Sequence, residues 1–171
     1  PARAFPIVAA QHNGFDPCIY VMGGRHAAVD PAATMNIVPL ADAYEFCPQR
    51  YDPAQYDPAT GVYRGGGLRA EPWRRRADLP RPVMAGTAIA VGQSHLFVVS
   101  GDAGALWTRT DELKDAHPGF EPASWAYHTI TDTWTAGPPT PANQVTTPAV
   151  RWGDGFVLAS GEIRPRHRTP A

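Results

Sequence analysis

The chain has 171 residues, enough for one domain with a sizeable core. Its 15 Lys and Arg nearly balance 16 Asp and Glu, a formal net charge of -1, which excludes the basic footprint of a nucleic-acid binder. With 19 Pro and 16 Gly the chain favours turns over long helices, and no apolar run approaches the roughly 20 residues of a membrane span.

Residues 5–10 form a short apolar run, and the Gln11-His12-Asn13-Gly14 that follows is turn chemistry. Cys18 to Met22 reads as a second strand closed by Gly23-Gly24, so these two strands form a hairpin. Residues 25–41 show no clear period and read as a long loop; Ala43 to Phe46 reads as a third strand. A tandem duplication, Tyr51-Asp52-Pro53-Ala54 and Tyr56-Asp57-Pro58-Ala59, carries turn signals, and Gly65-Gly66-Gly67 marks a flexible insertion. After Trp73 comes Arg74-Arg75-Arg76, a basic triplet without interleaved aromatics that reads as a solvated edge. Cys18 and Cys47 are too few ligands for a metal centre. They read as two free thiols, with a disulfide as the alternative in an exported protein.

The pattern then returns. Residues 84–91 read as a strand, Gly92-Gln93-Ser94 as a turn, and His95 to Val99 as a strand ended by Ser100-Gly101. Residues 110–116 read as a single helix, with Thr110 as its cap and acids in its first turn. Residues 126–130 read as a third strand with His128 as a packed core histidine, and Thr133-Trp134 opens a fourth; His95 reads as structural. A further copy begins with a strand over 147–152, a turn at Gly153-Asp154-Gly155 and a buried strand over 156–160. Repeats of four short strands imply an all-β propeller. The blades are residues 5–79, residues 80–137 and a partial third of 138–171, about two and a half in all.

The chemistry-bearing stretch is Gly161-Glu162-Ile163-Arg164-Pro165-Arg166-His167-Arg168-Thr169-Pro170, which reads as a loop stiffened by two prolines. Loops leaving a rigid sheet are where binding and catalytic groups concentrate. Arg25, Asp102 and Glu162 each follow the glycine that ends the second strand of a blade, so repetition puts all three on one face. Arg164 either binds a ligand or covers the loop, and His117, in the inserted segment, reaches over a central pocket.

The Gly-Gly strand ending, with a Tyr and then a Trp separated by six residues (Tyr127 and Trp134), resembles the kelch repeat. Three stretches carry a narrower resemblance, to the bacterial kelch mutarotases related to N-acetylneuraminate epimerase. They are Leu79-Pro80-Arg81-Pro82 with Gln93-Ser94-His95, then residues 111–120, then residues 161–169. The resemblance implies a six-bladed kelch-type β-propeller that interconverts sialic acid anomers without a cofactor. It also implies a small sugar acid as partner, the remaining blades of the same propeller as neighbours, and export to the periplasm. The family's acid/base Glu falls on Glu162 and its Arg on Arg168; the family usually has Gly where this chain has Arg166, a costly change if that position needs positive φ.

Anomerisation needs the anomeric hydroxyl proton removed and the ring oxygen protonated. A carboxylate moves protons best when burial raises its pKa toward neutrality, and a nearby cation opposes that shift. A substrate carboxylate occupying Arg168 would relieve the opposition. A non-catalytic kelch propeller with exposed loop aromatics (Trp107, Phe120, Trp125) is the rival; a copper enzyme of galactose-oxidase type lacks an evident His–Tyr–Cys arrangement. Two and a half blades leave apolar faces and strand edges open. The chain, which starts at Pro1, is therefore expected to be part of a protein about twice as long and to aggregate alone; a sharp two-state melt of the monomeric 171-residue chain would contradict this.

Overall fold

The structure is a computed structural model and describes residues 2–28, 36–49, 52–65 and 69–169. Strand β1 (Ile7–His12) pairs antiparallel with β2 (Pro17–Met22), in which Cys18, Tyr20 and Met22 alternate inward. A hairpin of β3 (Arg25–Ala28) and β4 (Asn36–Pro39) leaves the end of β2 before β5 (Ala43–Phe46) returns beside it. A small hairpin, β6 (Tyr56–Asp57) with β7 (Val62–Tyr63), precedes β8 (Trp73–Arg76), the fourth strand of a β1-β2-β5-β8 sheet. The second sheet repeats the meander with β9 (Thr87–Val91), β10 (His95–Val99), β11 (Ser124–His128) and β12 (Thr133–Ala136). Between β10 and β11 lies one turn of helix, α1 (Thr110–Leu113). The third unit holds β13 (Ala149–Trp152) and β14 (Gly155–Leu158), then a hairpin of β15 (Gly161–Arg164) and β16 (His167–Thr169).

The core lies between the first two sheets. Tyr20, Met22, Leu96, Val98 and Tyr127 have no exposed surface, and each such side chain stabilises the fold by about 1.5–3 kcal/mol. Tyr20 and Tyr127 meet edge to face at 5.8 Å, and Trp134 packs on Tyr127 at 4.7 Å. Glu45 is wholly buried among them. It accepts hydrogen bonds from the Tyr20 hydroxyl at 3.0 Å and from Arg74 Nε at 2.9 Å. Arg76 Nε donates to the Tyr127 hydroxyl at 3.0 Å and its Nη2 to the Thr129 carbonyl at 2.8 Å, while that hydroxyl donates to Asp132 at 2.7 Å. Burial, reinforced by Glu45, pushes the Tyr20 phenol far above its ordinary range.

Several expectations are corrected. Residues 25–41 are not a plain loop: β3 and β4 pair through main-chain bonds that need no apolar period. Residues 161–169 likewise form the β15–β16 hairpin, with a register shift between Glu162 and Arg164 and Pro165-Arg166 at its turn. The Arg triplet is not a uniformly solvated edge, because β8 alternates: Arg75 faces water, whereas Arg74 and Arg76 reach the buried Glu45 network. Residues 107–116 are one turn of α-helix between two 3-10 turns rather than a single helix, and Arg109, not Thr110, stands at its N-cap. Residues 156–158 are not buried: Phe156 is 38% and Val157 46% exposed, with no further sheet over them among the described residues. His128 is half-buried at a turn, bonded to Ser94 and Thr131 rather than packed in the core. Trp125 is buried in β11 with the Arg81 guanidinium over its ring, not exposed on a loop. Tyr51, Gly66, Gly67, Pro170 and residues 29–35 lie outside the described residues. The Asp52 and Asp57 carboxylates accept the Ala54 and Ala59 N–H groups, the turn chemistry expected of the duplication.

Cys18 and Cys47 are not free thiols but a disulfide, with Cα atoms 4.6 Å apart. The register explains it: Ile19 lies opposite Phe46, so the next pair outward is Cys18 and Cys47. Replacing both cysteines by serine in the complete protein is expected to lower its unfolding free energy by about 3 kcal/mol, since a crosslink across 29 residues restricts the unfolded chain. Urea unfolding with and without reductant checks this: the wild type should weaken under reductant and the double variant should not respond.

Candidate active site

The second strand of each unit leaves its sheet through two consecutive left-handed residues. The pairs are Gly23 (φ 57°) and Gly24 (92°), Ser100 (69°) and Gly101 (102°), and Ser160 (59°) and Gly161 (149°). A side chain at the second position has no room: a Cβ on Gly24 would lie 2.8 Å from the Ala4 carbonyl oxygen, and one on Gly101 would collide with Val83. The residue after each pair turns back onto the segment that enters its unit. Arg25 exchanges two main-chain bonds with Ala4 (2.7 and 2.8 Å), Asp102 with Met84 (both 2.9 Å) and Glu162 with Val145 (2.9 and 3.1 Å).

The residues following those partners, Phe5, Ala85 and Thr146, are also left-handed, at φ 52°, 55° and 60°. They link the units: Ala85 N–H donates to the Phe5 carbonyl and Thr146 N–H to the Ala85 carbonyl, both at 3.0 Å. For a non-glycine residue this conformation costs on the order of 1 kcal/mol, and such strain concentrates at functional sites. Phe5, Ala85 and Thr146 line one cavity of about 230 Å³, together with Arg25, Asp102 and Glu162. Trp107, Phe120 and Pro165 complete most of its wall.

The structure thus brings Arg25, Asp102 and Glu162 together. The Arg25 guanidinium carbon lies over the Phe5 ring at 4.8 Å and over the Trp107 ring at 4.7 Å, and among the described residues no carboxylate pairs with it. A guanidinium held against aromatic rings keeps N–H donors that can hold an anion. The Glu162 carboxylate has no hydrogen-bond or ion-pair partner among the described residues, although Arg168 is its cross-strand neighbour. Asp102 accepts the Gly104 N–H at 2.8 Å. Burial raises its pKa; the Gly104 N–H, His117 and Arg81 act against that, and Glu121 adds to it.

The other expected residues lie further out. Arg168 is exposed, and among the described residues it meets the cavity wall at Thr146, whose hydroxyl accepts its N–H at 3.5 Å. Arg164 ties the hairpin to the helical insertion, donating to the Asp115 carbonyl at 2.8 Å and its carboxylate at 3.1 Å. His117 is buried with its Nδ1 accepting the Gly119 N–H at 3.1 Å, and it is not part of the cavity wall. Arg166 does adopt positive φ, at 66°, and bonds Asp111 at 2.7 Å. A second cleft of about 330 Å³ adjoins, sharing Trp107, Glu162 and Pro165 and adding Thr110, Asp111 and Arg166. The walls Phe5, Ala85 and Thr146 were not signalled as site residues by the sequence. They follow the bridge partners of the three charged residues, a relation visible only in the pairing.

Comparison with known proteins finds no matching family model and no matching curated protein. Among solved structures the chain is similar to the structure of YjhT, with a TM-score of 0.60 at 15% identity, over 97% of this chain and 47% of that one. It therefore spans about half the length of that protein. At this identity the likeness is one of fold: the chain is all-β, with a distant resemblance to a kelch-like β-propeller.

Proposed function

We propose that the chain forms about two and a half blades of a six-bladed kelch-type propeller and carries the acid/base site of a sugar-acid mutarotase. The carrying observation is that the Glu162 carboxylate and the Arg25 guanidinium, neither of them ion-paired among the described residues, line the same cavity. The family resemblance at residues 79–82, 93–95, 111–120 and 161–169 supports N-acetylneuraminate or a related sugar as substrate. Aromatic walls at Phe5, Trp107 and Phe120 suit the apolar face of a sugar ring. A buried disulfide accords with export to an oxidising compartment such as the periplasm.

In this reading the Arg25 donors hold the substrate carboxylate in a planar, two-point contact. Glu162 takes the proton of the anomeric hydroxyl. The ring opens to the ketone, the carbonyl carbon turns its other face to the ring hydroxyl, and the ring recloses. Arg168 and Arg164 hold the hairpin that carries Glu162, with Arg168 at the rim of the cavity.

Proton NMR of a freshly dissolved sialic acid anomer with the complete protein tests this. Faster equilibration than the spontaneous rate is expected, with kcat falling at least about 100-fold in Glu162→Gln. Arg25→Ala should raise KM about tenfold with little change in kcat, and Arg168→Ala should raise it less. Binding of the sugar without acceleration would instead support a non-catalytic propeller, and a kcat loss in Arg25→Ala with KM unchanged would sink its anchoring role.

A further inference from the structure

We propose that Asp102 is the second proton-transfer group of this cavity, giving its proton to the ring oxygen as Glu162 removes the proton of the anomeric hydroxyl. The inference rests on the mutarotase reading above and names a partner which that reading leaves open.

Three observations carry it. Asp102 holds in the second unit the position that Glu162 holds in the third, directly after the left-handed pair and bridged to the entering segment. Repetition of the unit therefore presents two carboxyl groups, from neighbouring units, to one cavity of about 230 Å³. One Asp102 oxygen accepts the Gly104 N–H, and the other has no partner among the described residues. Asp102 is bridged to Met84, and burial favours its neutral form. The titratable and charged groups facing it are His117 and Arg81, which act toward its ionised form, and Glu121, which opposes it; Arg25 and Glu162 share its cavity. Arg81 and Glu121 are ion-paired to each other, which moderates both. Two carboxyl groups that face one cavity can serve as a proton-accepting and a proton-donating pair.

The step balances. The anomeric O–H proton passes to the Glu162 carboxylate, and its electron pair forms the carbonyl. The bond from the anomeric carbon to the ring oxygen breaks, and that oxygen keeps the pair and takes the Asp102 proton. On reclosure the Asp102 carboxylate recovers the proton as the hydroxyl oxygen attacks the other carbonyl face, and Glu162 protonates the new anomeric oxygen. No oxidant, reductant or metal enters.

The test uses the complete protein and the variant Asp102→Asn, which keeps an oxygen acceptor for the Gly104 N–H. We expect kcat to fall about 100-fold with KM changed less than about threefold. The wild-type rate should decline on the alkaline side as Asp102 loses its proton, and the variant should lack that decline. A carbon NMR titration of the Asp102 carboxyl in the wild type should place it above the usual aspartate range, independent of turnover. The folded state binds this proton more tightly than the unfolded chain, so the group's stabilising contribution is complete below the unfolded pKa and is lost as pH rises through the folded one. Asp102→Asn should therefore raise Tm at neutral pH relative to wild type. Wild-type acceleration with an unchanged kcat and alkaline decline in the variant, or an Asp102 carboxyl titrating at the ordinary position, would overturn the assignment and leave the mutarotase reading intact. A wild type that does not accelerate anomerisation overturns both.

Discussion

Everything about the cavity depends on how each unit's second strand ends. Two successive left-handed residues reverse the chain so sharply that the next residue is forced back onto the strand entrance of the same unit. The second residue of the pair must be glycine because neighbouring atoms occupy the space of a Cβ. The first tolerates serine in two units, at a conformational cost that the surrounding bonds offset. The reversal is a main-chain device, so it is indifferent to the side chain that follows. That freedom lets one structural position carry a guanidinium in one unit and carboxyl groups in the next two.

The reversal would position nothing without a fixed relation between sheets. That relation comes from the apolar core around Tyr20 and Tyr127, and from the polar chain running from Glu45 through Tyr20 and from Arg76 through Tyr127 to Asp132. A fully buried carboxylate is unfavourable unless its oxygens are satisfied. Glu45 meets that condition with donors from β2 and β8. Arg76 extends the same polar layer across to the second sheet. Directional bonds of this kind specify one register between the sheets, where apolar contact alone tolerates sliding. The hydrogen bonds joining Phe5, Ala85 and Thr146 then transmit that register to the cavity wall.

Much of this architecture is legible in the chain. The short apolar runs Cys18 to Met22 and His95 to Val99 mark strands, and the glycines after them mark the reversals. The placement of Arg25, Asp102 and Glu162 on one cavity follows from counting one residue beyond each glycine. What escaped the sequence reading has physical reasons. The β3–β4 and β15–β16 hairpins bury no continuous apolar face, so no periodicity announces them. Arg74 and Arg76 look like solvent residues until the alternation of β8 directs them at a buried acid that lies 29 and 31 residues earlier. The cysteine pairing depended on a register between β2 and β5 that two isolated residues cannot reveal. The position of Arg25 is countable from the glycines, but the Phe5 and Trp107 rings that meet its guanidinium come from distant parts of the chain and emerge only in the fold.

The disulfide also bears on the order of events during folding. Both sulfurs lie beneath the packed sheets, with Cys18 at 2% and Cys47 at 0% exposure, out of reach of a soluble oxidant or an isomerase once the core has closed. A reagent in solution therefore meets the two sulfurs only while that core is open. A chain that docks first encloses two thiols that nothing outside can then oxidise, and it can correct this only by reopening. The pairing thus records the chemical surroundings in which the first sheet formed, and the finished protein retains that record after those surroundings change.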